Sequence, residues 1–407
     1  MVKYAEQNKI YRFSKRDDLH ITYRHWALWT VYRDSWISES TIASIFRFVR
    51  YFLNDNTKYI YHRMIYLIDN NKNPYGHSVV YRQSLLQIKE TKHLDIDVNI
   101  NKKYRFDSTF LRTFYALRKQ LLAIPKGNIV HLLFADYYYK IPFASKYLKR
   151  NKTIITLHNY PTVWWRKLLL INFCKSIYRV IVHSDFIKSQ LLSMGIKNVI
   201  CINYPSFYNY RLIDTKPNIK KKYGIQENCI VLSSLGAIRP DKGLDILLNA
   251  FQFINTSIRK RIILNVAGLS YGYFMPESEI ERLCDKYGIQ NRRLTIRGLS
   301  DKEFMENVII TDILVLPYRK EMTGNSGPMT EAIVNKIPCI GPKDSNIGNL
   351  IIKYNLGYTF EMEDAQSLAK AIESIIERNK PFEFSFAEEL SEEIFVNKHM
   401  QLYSSLT

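Results

Sequence analysis

Two cations follow a predicted strand end in the segment LGAIRPDKG, residues 235–243. Arg239 and Lys242 stand in a turn that opens with Gly236, and an apolar helix is predicted after it. Glycine lets a backbone approach a ligand closely, and a guanidinium beside an ammonium neutralises a diphosphate. A diphosphate gains charge as its bond to a sugar breaks, so the same pair could stabilise a leaving group. The alternative is a solvated loop that carries two charges.

A second segment about 80 residues later, LPYRKEMTGNSGPMTEAIVNKIP over 316–338, predicts an anion site at a helix start. The turn TGNSG at 323–327 follows a strand, and Pro328 stands in the first helical turn. Free amides at a helix start bind anions. Glu331 lies about one turn further on, where a carboxylate can hold the two hydroxyls of a ribose. Alternatively, Glu331 is a surface acid.

Together these segments resemble the glycosyltransferase family 4 group of GT-B enzymes, over about residues 60–400. The most specific matches are GAIRPDKG, NVAG, IRGLSDKE, and the run from LPYRK through TGNSG to EA. The resemblance implies that Arg239 and Lys242 bind the donor diphosphate and serve catalysis, and that Glu331 binds the ribose. The further donor contacts that it implies are Gly76, Gly236, Gly298, Thr323, Asn325, Ser326 and Gly327.

One position departs from the family pattern, which often has two glutamates with seven residues between them. Thr323 stands where the first glutamate is expected, and Glu321 comes two residues early. Either Glu321 moves into the sugar site, or Thr323 and Ser326 take its place. The identity of the transferred sugar stays open.

The first half of the chain offers candidates at predicted strand ends. His158, in the sequence TLHN, resembles the family's strand-end histidine, which would hydrogen-bond the donor sugar and act in catalysis. A structural histidine is the alternative. Asp136 ends another strand and is a candidate acceptor contact or base. Gly76 matches the family's glycine turn, and His77 after it is a second candidate acceptor contact.

Metal and cofactor signals are weak. Asp95 and Asp97 form a DxD pair within an alternating strand, which we interpret as a solvated edge. The five cysteines lie far apart without a CxxC pair, which argues against a zinc site or a disulfide framework. We therefore expect no metal and no cofactor besides the nucleotide sugar itself.

Strand-like and helix-like segments alternate from about residue 63, which predicts parallel sheets in an α/β fold. A Pro- and Lys-rich break at 204–222 is predicted to be a linker. The alternation predicts two Rossmann-like doubly wound domains facing a central cleft, and the resemblance implies that this α/β architecture is GT-B. The predicted segments are an extension at 1–60, an acceptor-binding domain at 61–205, a nucleotide-sugar domain at 223–385, and a C-terminal helix at 386–407 that packs back on the first domain.

The net charge of +20 belongs to one half of the chain. Residues 1–210 hold 33 Lys and Arg against 13 Asp and Glu, whereas the remainder holds 25 of each. This asymmetry predicts an anionic partner, either a phospholipid membrane or nucleic acid. Biased genome composition is the plainer explanation. The amphipathic stretch STIASIFRFVRYFL at 40–53 could lie in a membrane interface or pack on the first domain.

The N-terminus carries no apolar signal core, and no run of about 18 apolar residues occurs. We therefore predict a cytoplasmic protein, peripheral at the inner face of the plasma membrane. The predicted function is transfer of a hexosyl unit from a nucleotide diphosphate sugar to a glycan or polyprenyl-linked acceptor in bacterial surface polysaccharide synthesis. The family resemblance implies that this transfer retains the anomeric configuration. The alternatives are a nucleotide-sugar epimerase or other GT-B enzyme, and a basic nucleic-acid-binding protein. We expect no nucleic acid partner.

Overall fold

The computed structural model describes residues 64–69, 77–88, 91–95, 109–141, 144–271 and 274–406. The predictions for residues 1–60, with the amphipathic helix at 40–53, and for Gly76 and Asp97 lie outside these residues. The described chain contains two six-stranded parallel sheets, each covered by helices.

The first sheet has the strand order β2-β1-β3-β4-β5-β6. Apart from β2, whose sequence is TKHLD, its strands are largely apolar and mostly buried, as expected when helices cover both faces. The strand predicted at 94–100 begins earlier in the structure, at Thr91. The strands are β1 Ile65–Asp69, β2 Thr91–Asp95, β3 Ile129–Leu132, β4 Lys152–Thr156, β5 Arg179–Val182 and β6 Val199–Cys201.

Five helices connect these strands. Helices α2, α4 and α5 share one apolar core with the sheet, because Leu117, Phe173 and Leu191 belong to the same buried cluster. Helix α1 lies in the cluster on the other face through Tyr81 and Leu85. The helices are α1 His77–Leu86, α2 Thr109–Ala123, α3 Ala144–Leu148, α4 Trp164–Cys174 and α5 Asp185–Ser193.

The second sheet has the order β12-β11-β10-β7-β8-β9. The chain direction of its crossovers reverses between β7 and β10, which is the position where ligands bind in doubly wound sheets. The strands are β7 Ile230–Leu235, β8 Ile262–Ala267, β9 Arg292–Thr295, β10 Ile313–Val315, β11 Cys339–Pro342 and β12 Gly357–Phe360.

The predicted linker at 204–222 differs from the structure, because its last third is helical. Helix α6 buries Ile219 beside Ile225 and Val231 of the second domain. An apolar residue at that position, together with Pro217 in the first turn, was the signal for a helix. The helices are α6 Lys216–Lys222, α7 Leu244–Ala250, α8 Thr256–Arg259, α9 Glu277–Lys286, α10 Asp301–Ile310, α11 Gly327–Val334, α12 Asn346–Lys353 and α13 Ala365–Ile376.

The last helix, α14 Glu392–Ser404, returns to the first domain. Phe395 and Tyr403 lie in the core cluster on the α1 face of the first sheet. The Tyr403 hydroxyl contacts His131 Nδ1 at 2.6 Å, and Ser84 donates to Glu392 at 2.5 Å. Among the described residues, no helix has both the length and the apolar character of a membrane span.

Candidate active site

The loop after β7 lies against the start of α11. Gly236 has φ +96°, and its amide donates to the Ala267 carbonyl at 2.9 Å. A Cβ at this position would lie 3.2 Å from Cγ of Pro328, so a larger residue would crowd the first turn of α11. The backbone therefore needs glycine both for its conformation and for this close approach.

Lys242 is connected to the start of α11 through the side chains of Tyr318 and Ser326. Its Nζ lies 3.7 Å from the ring centroid of Tyr318, which follows β10. The Tyr318 hydroxyl contacts Ser326 Oγ at 2.8 Å, and Ser326 caps α11 by accepting from the Met329 amide at 3.3 Å. Burial, and to a lesser extent the nearby Arg239 charge, lower the pKa of Lys242 to about 7, while the Asp241 charge acts in the opposite direction.

The Arg239 guanidinium forms an ion pair with the Asp241 carboxylate of the same loop. Its Nε donates to Asp241 Oδ1 at 3.0 Å, and its Nη2 donates to Oδ2 at 2.6 Å. Nη2 also lies 3.8 Å from Met322 Sδ. This bidentate pair has the geometry that a phosphate would use, so an anion entering here must compete with Asp241.

Glu331 is 1% exposed, which rules out the interpretation as a surface acid. Its Oε2 accepts from Ser206 Oγ at 2.6 Å, in the connection between the two domains. Burial raises the pKa of Glu331 to about 7, although the Ser206 hydrogen bond works in the opposite direction. The carboxyl group is therefore held inside the protein at a point where the domains meet.

Thr323 joins the two domains directly. It is 5% exposed, and its Oγ1 donates to the Tyr160 carbonyl at 2.8 Å while accepting from the Tyr160 amide at 3.1 Å. A Cβ at Gly324 would lie 2.4 Å from the His158 carbonyl, so the next residue also abuts the first domain. Glu321 is exposed. Thr323, rather than Glu321, occupies the interface.

Asn325 extends this interface to the end of β5. Its Nδ2 donates to the His183 carbonyl at 2.8 Å, and its Oδ1 accepts from Asn346 Nδ2 at 2.6 Å. Ser184 donates to Asn346 Oδ1 at 2.6 Å. The turn that precedes α11 is thus fixed by polar contacts to the strand ends of the first sheet.

His158 lies two residues after the end of β4, beside that turn. Its Nε2 donates to the Leu133 carbonyl at 2.9 Å, which places the proton on Nε2 and leaves Nδ1 as an acceptor. The ring stacks on Phe134 with centroids 4.4 Å apart. Burial lowers the pKa of His158, while the Asp136 charge raises it. The imidazole is neutral at pH 7, so a contact to a sugar hydroxyl through Nδ1 would accept a hydrogen bond.

Asp136 positions this histidine segment. Its carboxylate accepts from the His158 amide at 3.1 Å and from the Asn159 amide at 2.7 Å. Both oxygens are therefore used within the first domain, which favours a positioning role over that of a base. The role of Asp136 as an acceptor contact stays a prediction.

The remaining candidates lie at strand and helix ends. Gly298 is exposed just after β9, and its carbonyl accepts from Arg297 Nη1 at 3.0 Å. β9 is parallel to β8, which is parallel to β7, so Gly298 and Gly236 share one edge of the sheet. His77 begins α1. Gly76 is outside the described residues.

Known proteins are similar to parts of this chain. Residues 215–393 match the family model described as glycosyl transferases group 1. The second domain of this chain belongs to that family. Over 151 residues the chain is 27% identical to N-acetyl-alpha-D-glucosaminyl L-malate synthase of Bacillus anthracis. That similarity spans 37% of this chain and 37% of the synthase.

Solved structures are similar to this chain over both domains. Anabaena HepE in complex with UDP and glucose has a TM-score of 0.64 at 13% identity, covering 84% of this chain and 100% of HepE. Sucrose-phosphate synthase from Thermosynechococcus elongatus has a TM-score of 0.66 at 15% identity, covering 84% and 99%. The predicted GT-B fold and family are confirmed.

The sequence did not indicate several residues of the site. Asp241 stands between the two predicted cations, and its charge was the available signal for the pair with Arg239. Tyr318 follows a strand end, where aromatic rings often face ligands. Tyr160 and Ser206 act through the interface, and nothing in one sequence indicates such distant partners. Among the described residues, no group of three His, Cys, Asp or Glu side chains is placed to hold a metal.

Proposed function

We propose that this protein is a nucleotide-sugar-dependent glycosyltransferase that transfers a hexosyl unit to a glycan or polyprenyl-linked acceptor. The observation that carries the proposal is the meeting of Arg239, Lys242 and the first turn of α11 at the switch point of the second sheet. Two cations and a helix start are suited to a diphosphate. The similar structures also include HepE in complex with UDP and glucose, and a sucrose-phosphate synthase.

The proposed reaction retains anomeric configuration and needs no cofactor. The bond between the anomeric carbon and the β-phosphate oxygen breaks, and the acceptor oxygen bonds to the same face of that carbon. The acceptor proton passes to the departing phosphate. Arg239 and Lys242 stabilise the charge that develops on that phosphate, and closure of the domains excludes water. Glu331 binds the ribose, and His158 accepts from a sugar hydroxyl.

The acceptor and location are proposed from charge. A basic first half suits an anionic phospholipid surface, and the enzyme would act at the inner face of the plasma membrane in surface polysaccharide synthesis. A lipid-linked acceptor would then be presented beside the cleft.

The test begins with a thermal-shift screen against UDP, GDP, ADP and their sugars, since a ligand that binds the native state raises the melting temperature. The preferred sugar nucleotide is then incubated with and without polyprenyl-linked and oligosaccharide acceptors. We expect product only with an acceptor. Conversion of the sugar without any acceptor would indicate an epimerase, and absence of nucleotide binding would contradict the proposal.

A further inference from the structure

Helix α4 exposes an apolar face that the described fold leaves uncovered. Trp164 is 72% exposed and Leu168 is 56% exposed, one helical turn apart. Trp165 and Leu169 repeat the same spacing at 44% and 39%. The opposite face of the helix is buried through Leu170, Phe173 and Cys174 in the core of the first domain. The helix is thus anchored on one side and presents tryptophan and leucine on the other.

The surroundings of this face are strongly cationic. Between residues 109 and 201 the chain has 15 Lys and Arg against two Asp and Glu. One acid, Asp136, serves backbone amides, and the other, Asp185, pairs with Lys353 at 2.7 Å. Arg166 lies within α4, 5.0 Å from the Trp165 ring, and Lys167 follows it. An apolar face in a part of the chain with this excess of positive charge is suited to a partner that has an anionic surface and an apolar interior.

Helix α2 carries exposed side chains of the same kind. It packs into the same core cluster as α4, on the same side of the first sheet. It exposes Tyr115 at 51% and Leu122 at 38%, with the exposed cations Arg118 and Lys119 between them. Aromatic rings and leucines beside lysine and arginine are the composition of helices that lie in a membrane interface.

We propose that the exposed face of α4 docks on an anionic phospholipid surface, with Trp164 and Leu168 entering the interface. This inference rests on the membrane-bound acceptor of the proposed function. A membrane is favoured over nucleic acid because leucine side chains gain nothing from phosphates, whereas acyl chains bury them.

The docking places the cleft beside the membrane. β4 ends at Thr156, and α4 begins at Trp164. Only seven residues separate them, and this stretch contains His158 and Tyr160, which lie against the second domain at Thr323 and Gly324. A phospholipid surface in contact with the first turn of α4 would therefore lie next to the interdomain site. The head group of a lipid-linked acceptor would reach that site without leaving its bilayer.

The experiment measures binding of the full chain to phosphatidylcholine vesicles with and without phosphatidylglycerol, by co-sedimentation. We expect binding that requires phosphatidylglycerol and weakens with salt. The double variant Trp164→Ser, Leu168→Ser should weaken it about tenfold or more, because both insertion residues are lost. The matched control is Leu212→Ser, Ile352→Ser, which replaces two side chains of similar exposure, 78% and 62%, outside the first domain. The control should bind like the wild type.

Unchanged melting temperature and nucleotide affinity would show that the α4 variant is folded. If the wild type binds vesicles and the α4 variant binds equally well, α4 is not the docking element, although membrane association stands. If the wild type binds no vesicles, both the inference and the proposed membrane location are wrong, while nucleotide binding still tests the transferase proposal separately. The α4 variant could also keep vesicle binding but lose self-association in sedimentation velocity, or lose RNA binding in a gel shift. Either result would assign the exposed face of α4 to a partner other than a membrane.

Discussion

Lys242 and Tyr318 are in direct contact, with the Lys242 ammonium 3.7 Å from the centroid of the tyrosine ring. The ring in turn holds Ser326, the residue that caps α11. The contact therefore couples a cation in the β7 loop to the helix start that would face the same phosphate. It also keeps the ammonium out of bulk water, which lowers its pKa to about 7.

Diphosphate binding should restore the proton on Lys242. In the empty site the pKa is about 7, below the ordinary value for lysine, so most molecules carry neutral Lys242 at pH 8. A bound dianion favours the charged form, so binding takes up protons, and affinity falls as the pH rises above 7. Calorimetry at pH 8 in two buffers of different ionisation enthalpy measures this uptake. In Lys242→Arg, which stays charged, the uptake should vanish; equal uptake in both proteins would be inconsistent with this account.

Asp241 should restrain donor binding. Its carboxylate occupies the Arg239 guanidinium through two hydrogen bonds and adds a negative charge where phosphate must enter. Asp241→Asn should therefore tighten binding of a nucleoside diphosphate by roughly threefold to tenfold at low salt. Titration calorimetry gives the dissociation constants. Asp245→Asn is the matched control, since Asp245 pairs with Arg319 instead, and it should leave the affinity within about twofold. Weaker binding in Asp241→Asn would mean that the carboxylate orients Arg239 for the ligand.

Glu331 should distinguish nucleotides by their ribose hydroxyls. If its buried carboxylate holds the ribose, Glu331→Gln should weaken binding of the preferred nucleoside diphosphate about tenfold. The same change should hardly affect the 2′,3′-dideoxy analogue, which has no hydroxyls to lose. Ser206→Ala separates the effect of the existing hydrogen bond, because it removes the partner and leaves the carboxylate. A loss of equal size for both nucleotides would remove Glu331 from the ribose site.

The sequence predicted both sheets because their buried strands are apolar runs and their turns carry Gly, Pro and Asn. The positions of Arg239 and Lys242 followed from the same logic, since a strand end fixes where the next loop lies. Helix α4 was missed, because the run from Leu168 to Ile171 is too short to distinguish a buried segment from an exposed one. Its orientation is set by Phe173 and Cys174 in the core, which depends on the tertiary fold.

The interface contacts of the site could not be predicted from one sequence. Thr323 bonds to Tyr160 across 163 positions of chain, and Ser206 bonds to Glu331 across 125. Such pairs depend on how two domains meet, and no local period or turn signal encodes them. The same holds for Asp136, whose strand-end position suggested chemistry but whose oxygens hold backbone amides.

A buried histidine cluster should make the fold sensitive to acid. Burial lowers the pKa of each imidazole in this cluster, and that of His399 falls to about 4. The histidines therefore bind protons near pH 6.5 in the unfolded chain but remain neutral at that pH in the folded chain. Stability is then present above pH 6.5 and is lost as the pH falls below it. Glu331 has the opposite effect on stability, since its raised pKa favours the folded state as the pH falls below 7. The four histidines outnumber this single group, so the net effect of acid is destabilising. The histidines are His131, His158, His183 and His399.

Urea unfolding followed by circular dichroism at pH 7 and pH 5 checks the histidine prediction. The midpoint should be lower at pH 5, and His399→Phe should reduce the difference by removing one titrating group. His399 is the best choice because its Nε2 has no hydrogen-bond partner among the residues that the structure describes. A midpoint that does not change between pH 7 and pH 5 would exclude this mechanism.

The central claim is that Arg239, Lys242 and the start of α11 form one diphosphate site. Its most direct test is the ratio of affinities for a nucleoside diphosphate and the matching monophosphate, measured by calorimetry in the wild type, Lys242→Met and the surface control Lys370→Met. We predict that the wild type and the control prefer the diphosphate by about tenfold or more, equivalent to about 1.4 kcal/mol, and that Lys242→Met loses most of this preference. An unchanged preference in Lys242→Met would contradict the account.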